Sequence, residues 1–273
     1  MRARLGGPAV GIVLAFAVLA VIGPWIAPYD PRAIDLRHIF EPPSADHLLG
    51  TADNGVDILS VLLHGARLAG VVGALSVGLA LAVGATLGAF AGYRGGAADH
   101  ANTGGADLVQ SLPAIVLNVA ILALVAHPGV THVVVALAST GWVLYARLAR
   151  AEALTLRERE FVMAARALGA SEARIVFRHI LPNLAGPLVV QATAGLGAAI
   201  LAEASLSFLG IGPGAAISWG ALLDQGSTVL LRFPHVALTS GAMIALTVLG
   251  FNLTGDRLRD WLDPRARRRF DLG

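Results

Sequence analysis

Cysteine and lysine are both missing from this 273-residue chain. The first absence excludes a disulfide framework, a thiol nucleophile and a thiolate metal site. The second leaves Arg as the source of all twenty basic residues. A phosphate-binding loop of the usual kind needs its Lys to reach the β- and γ-phosphates. The chain therefore carries no orthodox nucleotide-hydrolysing site, and any ATP-driven process it serves must have the ATP hydrolysed on another subunit. Charge is scarce as well, at 14% of residues against 56% hydrophobic. With a mean hydropathy of +0.70, the composition lies outside that of ordinary soluble domains.

What the chain does have is long uncharged runs: Leu5–Ala27, Leu68–Tyr93, Leu108–Val130, Val133–Ala146, Leu184–Ala202 and Val236–Gly255. A helix needs about 20 apolar residues to cross the hydrocarbon core. The fourth run reaches that length when extended back to His127 and on to Leu148. These runs predict an all-α membrane protein with six transmembrane helices. The first run exceeds a signal-peptide h-region, and Gly23-Pro24-Trp25 is a poor cleavage site, so it reads as an uncleaved span. Six spans put both termini on one side, where sixteen Arg fall against four on the other. That bias places the termini and the 152–183 loop in the cytoplasm. The tail arginines Arg265, Arg267, Arg268 and Arg269 read as topological anchors attracted to anionic lipid. They are too few, and too poor in interleaved aromatics, to read as a nucleic-acid site.

Between the spans, residues 28–66 form an external segment rich in Pro and acids. Gly95-Gly96 through Gly104-Gly105 reads as a cytoplasmic turn, His127-Pro128-Gly129 as a short external turn, and 203–235 as an external connection. Spans two and five are strewn with small residues (Gly70, Gly73, Gly78, Gly84, Gly88; Gly195, Gly197, Ala198, Ala199). Such residues let helices approach closely in lipid, whether to slide or to pack statically.

The most informative stretch is Glu152–Asn183, a charged, Arg-dotted, amphipathic run set between two spans. Ala151 to Leu168 has helix formers throughout, with Leu154, Phe161, Ala165 and Leu168 on one face. Gly169 stands where a helix ends in a left-handed residue. Ser171 is an N-cap for a second helix, and Glu172 lies at the positive end of its dipole. This helix is expected to run to Ile180 and to be stopped by Pro182. Its apolar side is Ala173, Val176, Phe177 and Ile180, flanked by Arg174 and Arg178. By physics alone it fits either a groove on a soluble partner or the membrane interface.

The same stretch resembles the cytoplasmic "EAA" signature loop of ABC importer permeases, in Ala164-Ala165, Gly169 and Leu181-Pro182. His47-Leu-Leu-Gly-Thr51, Asp57-Ile-Leu-Ser60 and Gly65-Ala-Arg67 are similar to the external signature of the second permease of dipeptide, oligopeptide and nickel importers. Ala91-Gly-Tyr-Arg-Gly-Gly96, Ala204-Ser-Leu-Ser-Phe-Leu-Gly210, Ser218-Trp-Gly220, Phe251-Asn-Leu-Thr-Gly-Asp256, Leu258-Arg-Asp260 and Leu262-Asp-Pro264 continue it in order. Met163 takes the place of the signature Glu, and Ala52, Val56 and Val61 replace residues often charged in the external signature. His179 stands at a usually aliphatic position, and Gly104 where an Arg often precedes the third span.

The resemblance implies a type I ABC importer permease fold, with an N-terminal helix and external segment over 1–67 and a core permease domain over 68–273. It implies a bacterial inner-membrane subunit that forms half of a path for peptides or a related solute, nickel included. Its partners would be a homologous permease, two ATPase subunits holding ATP and Mg, an extracytoplasmic solute-binding protein and membrane lipid. No cofactor would be bound by this chain itself. Helix 171–180 would be the coupling helix, with Phe177 and Ile175 nearest the ATPase and Arg174 or Arg178 pairing with its acids. Ala164, Ala165, Gly169, Ser171, Glu172, Leu181 and Pro182 complete that expected interface.

Glu203, with Ser205 and Ser207, is the candidate pathway or gate group, since an ionisable residue at membrane depth is a functional candidate. The plainer reading has Glu203 capping backbone amides of the following turn. Asp99 and Asp107 read as helix caps or interface anchors, and the eight His lack close metal-ligand spacing. A secondary transporter would predict inverted repeats and paired intramembrane charges. A membrane enzyme would need a convergent cluster of titratable groups. Neither pattern is present in the sequence.

Overall fold

The computed structural model describes residues 2–214 and 216–262, all of them helical or irregular apart from one isolated bridge, Thr51 to Asp57. The tail arginines and the Asp263-Pro264 pair lie outside the described residues. Ten α-helices follow in order: α1 Arg2–Ile26, α2 Ile58–Arg94, α3 Gly96–Gln110, α4 Ala114–Ala123, α5 Val130–Leu156, α6 Glu160–Ala167, α7 Glu172–Ile175, α8 Ala185–Phe208, α9 Trp219–Thr228 and α10 Pro234–Leu262. Among the described residues five helical stretches are long and apolar enough to cross a membrane, and the bent pair α3–α4 makes a sixth. One end of the bundle carries the 157–184 loop and is called basal here; the other is the cap end.

The third crossing is not the straight helix expected over Leu108–Val130. Its two helices meet at 82°. Pro113, which has no N–H and steers the residue before it away from helical angles, stands at the start of α4. The ten residues of α4 rise about 15 Å, half the hydrocarbon thickness. The glycine stretch 95–105 is likewise not a turn. After Gly95 and Gly96, both at positive φ, it forms the first two thirds of α3. Glycine weakens a helix, but two interhelical ion pairs hold this one against α5. Asp99 takes both the Nε and an Nη of Arg150, and Asp107 takes Arg147 at 2.7 Å. The two acids are interhelical anchors and not caps.

The helix α2 begins ten residues before the run that predicted it. Asp57 caps it, accepting from the Ser60 amide at 2.8 Å and the Ser60 hydroxyl at 2.7 Å. It crosses position 67/68 without a break. α8 similarly runs past Ala202 to Phe208, and α9 fills part of the expected external connection.

An extended close approach joins α2 to α5. Gly84, Gly88 and Gly92 form a stripe whose absent side chains would strike the carbonyl oxygens of Trp142, Ala146 and Arg150. Both series ascend together, so the two helices run parallel with their backbones in contact. Around this seam lies one apolar core of Ala89, Tyr145, Ala149 and Ala153, joined by Val162, Ile175, Val176 and Ile180 from the basal loop. A second core, toward the cap, gathers Phe16, Ile58, Leu62, Trp219, Leu222 and Phe251 from α1, α2, α9 and α10.

Two substitutions test these contacts. Gly88→Val is expected to cost about 3 kcal/mol by overpacking and to lower the melting midpoint in detergent. Gly78→Val, where nothing lies within 4 Å of an added Cβ, is expected to leave it unchanged. Asp99→Asn should cost about 1 kcal/mol, given that the pair is part-exposed. It should also speed proteolysis near the α3–α4 bend while sparing the rest.

Candidate coupling surface

The basal loop is built by local rules and then pinned from above. α5 stops at Leu156, and α6 restarts at Glu160, so Ala151–Leu168 is two helices where amphipathicity suggested one. α6 ends as its glycine requires: Gly169 has φ +78°, its amide donates to the Arg166 carbonyl, and the Ala170 amide donates to Ala165. This paired pattern is the Schellman closure. Ser171 then caps α7, its hydroxyl accepting from the Arg174 amide at 3.4 Å.

Pro182 does not stop the second helix. The chain passes from α7 through a π turn, Val176–Ile180, and a tight 3₁₀ turn, Leu181–Leu184, directly into α8. Pro182 falls in the first turn of that 3₁₀ segment, where no N–H is needed. The exposed loop and the membrane-crossing α8 are thus one continuous helical path.

Four contacts tie the loop to the basal end of α2. Arg157 donates to the Gly92 carbonyl at 3.3 Å, and Arg166 lies over the Tyr93 ring at 5.3 Å. Glu172 faces Arg94 at 3.9 Å, and Phe177 meets Phe90 edge to face at 5.8 Å. Tyr93, Arg94, Arg157, Glu158, Arg166 and Glu172 line a cavity of about 390 Å³ between these elements. No motif in the loop itself points to this anchor. The available signal is an aromatic and an Arg closing the apolar run at Tyr93-Arg94.

The loop's faces differ from those read off the sequence. Ile175 is fully buried with Val176 and Ile180, so it supports the loop from within and presents nothing outward. Val162 and Ala165 are the buried side of α6, whereas Leu168 is 87% exposed and Phe177 54%. Phe161 and Met163 are also exposed, as are Ala164, Ser171, Glu172, Arg174, Arg178 and Pro182. Leu181 is half-buried. The outward face is therefore apolar residues among arginines.

The three candidate gate residues lie at the cap end of α8, within the helix. Glu203 is 1% exposed, and its Oε1 accepts from the hydroxyls of Ser207 at 2.7 Å and Ser218 at 2.8 Å. It caps no backbone amide; the Gly220 amide is taken by Ser218 instead, at 3.1 Å. Ser205 turns back to the Leu201 carbonyl. Glu203 thus clasps the 209–218 connection to α8, and next to it Trp219 donates to the Leu62 carbonyl at 2.8 Å.

Comparison with known proteins agrees with this architecture. Residues 84–268 match the family model of the binding-protein-dependent transport system inner membrane component. Residues 8–43 match that of the N-terminal TM domain of oligopeptide transport permease C. A dipeptide transport system permease protein of Alkalihalophilus pseudofirmus is 39% identical over 94% of this chain and 84% of its own length. An oligopeptide transport system permease protein of Bacillus subtilis is 36% identical over 94% and 84%. A di/tripeptide transport system permease protein of Pseudomonas aeruginosa is 38% identical over 97% and 89%. A bundle of crossing helices pinned to one exposed loop, matched over nearly its whole length by peptide permeases, belongs to the family of binding-protein-dependent transport system inner membrane components, with the type I importer permease fold.

Proposed function

We propose that this chain is the non-hydrolysing permease subunit of an ATP-driven importer for peptides, and that it forms half of the translocation path with a homologous permease. Two ATPase subunits, carrying ATP and Mg, dock on the 157–184 loop, and an extracytoplasmic binding protein delivers solute to the cap. The observation that carries this reading is the split character of the loop. Its inner face is locked to α2 and α5 through Ile175, Val162, Tyr93 and Arg157, and its outer face leaves Phe177 and Leu168 uncovered among arginines. A lipid-lying helix would instead turn its largest apolar groups toward the bilayer along one stripe.

Orientation follows from the same end. Arg94, Arg157, Arg166, Arg174 and Arg178 are basal, against Arg32, Arg37, Arg67 and Arg232 at the cap, so the basal end is cytoplasmic. Peptides are the proposed cargo because the named relatives carry them. The relatives named above are described as peptide permeases and not as nickel permeases. Pushed from below, α7 moves α8 directly, and the Glu203 clasp carries that motion to the 209–218 connection. The gate role of Glu203 and Ser207 is to hold this connection on α8, and Ser205 adds a bond within the helix.

Purification of the tagged chain from native membranes in mild detergent tests the proposal. Wild type is expected to bring down an ATPase and a second permease. Phe177→Asp with Leu168→Asp should lose the ATPase, a drop of about thirtyfold or more if these side chains are the hot spot, and keep the second permease. Ile175→Asp, which buries a charge, should fail to assemble at all. Wild type recovered alone, with sodium- or proton-driven uptake, would favour a secondary transporter.

A further inference from the structure

A cavity of about 240 Å³ lies between α2, α4, α5 and α8, well away from the basal loop. Among the described residues no charged side chain lines it, and small residues such as Ala114, Gly195, Ala198 and Ala202 keep it open. Two of its polar lining residues are satisfied by their own helices. Ser76 donates to the Val72 carbonyl at 2.6 Å, and Thr140 shares its one hydroxyl proton between the Leu137 carbonyl at 3.1 Å and Asn118 Oδ1. The other two are not. Asn118 is 3% exposed and uses its Oδ1 to accept from Thr140 at 3.2 Å, leaving Nδ2 without a hydrogen bond among the described residues. Tyr145 is also 3% exposed, and its hydroxyl has no partner among the described residues. That hydroxyl lies against Gly195, where an added Cβ would collide with it.

Neither free group is among the fully enclosed unpaired atoms, so each keeps accessible surface on the cavity side and can meet what enters there. Two unpaired groups on the wall of one uncharged cavity, from helices packed on either side of it, are an arrangement for a guest with hydrogen-bonding groups of its own. We infer that Asn118 and Tyr145 form a solute-contact site on this subunit's share of the path, and that it recognises the main-chain amide of a peptide. Asn118 Nδ2 donates to a peptide carbonyl, and the Tyr145 hydroxyl donates to a carbonyl or accepts from an N–H. A charged side chain or terminus would find no counter-ion here. The site therefore reads the backbone that all peptides share and leaves side-chain selection to other parts of the system. This inference rests on the importer reading given above.

The experiment uses the purified complex in proteoliposomes, with tritiated Ala-Ala and penta-alanine as probes. Wild type accumulating neither peptide with ATP overturns the peptide-importer reading and this site with it. With wild type active, Asn118→Leu and Tyr145→Phe are each expected to lower uptake about tenfold, the loss of one hydrogen bond to the solute. Asn118→Gln should recover part of the uptake. Uptake equal to wild type in both variants overturns the site and leaves the importer standing. A second readout exploits the absence of native cysteine. Ala198→Cys, labelled with neutral methyl methanethiosulfonate, should be protected by the transported peptide. Labelling that peptide does not slow overturns the site even where a variant at Asn118 fails to assemble.

Discussion

The contact on which most of this molecule depends is the one between the glycine stripe of α2 and the backbone of α5. In lipid no hydrophobic force draws two helices together, because the surrounding chains are as apolar as the side chains. Close van der Waals packing has to do it, and Gly84, Gly88 and Gly92 permit backbone contact over two turns. The consequence reaches the basal end. With the two helices fixed in parallel, Gly92, Tyr93 and Arg94 emerge beside Arg157, and those four residues are the seat on which α6 and α7 rest. A loop of arginines would otherwise have little reason to keep one conformation.

At the cap end the order comes from polar groups that meet across long sequence separations. His47 reaches Asp57 at 3.0 Å, and Asp57 in turn starts α2 through Ser60. His235, at the head of α10, reaches the Thr51 carbonyl at 3.2 Å, and Phe40 stacks on Phe233 at 4.8 Å. Trp219 fits a notch left by Gly65 and donates to α2. The short strings that resembled the external signature are therefore one structure, each string supplying the partner of another. That explains why they occur together in order, a fact that their individual composition does not convey.

The spans were legible because lipid admits only long apolar helices, and five of the six runs correspond to helices of suitable length. Their ends were not, since Asp57 and the Glu203 clasp extend α2 and α8 into polar sequence by contacts that no window of hydropathy contains. The third crossing misled because its apolar run hides Pro113. The glycines before it read as a turn because the arginines that hold them, Arg147 and Arg150, stand 40 and 51 residues from their acids. In the loop, Gly169 and Ser171 were readable because capping is local. Ile175 was not, because the segment is apolar on its buried and its exposed faces alike. Asn118 and Tyr145 lay in plain view inside apolar runs, and a search for polar residues at membrane depth would have raised them beside Glu203.

The geometry also bears on how work done at the basal end could reach the solute. A hinged loop would absorb a push, but α7 has no flexible joint to α8: the π and 3₁₀ turns keep every residue from Glu172 to Phe208 in one helical path. A displacement of Phe177 is therefore delivered to Gly195 and Ala198, which face Tyr145 across the cavity, before it arrives at Glu203. α2 and α5, held together by backbone contact, receive the same push as one body through Phe90, Gly92 and Tyr93. Any difference between their response and that of α8 changes the width of the cavity lined by Asn118 and Tyr145. On the function proposed above, one stroke would thus act on the proposed peptide contact and on the cap connection together, with no need for separate signals to the two places.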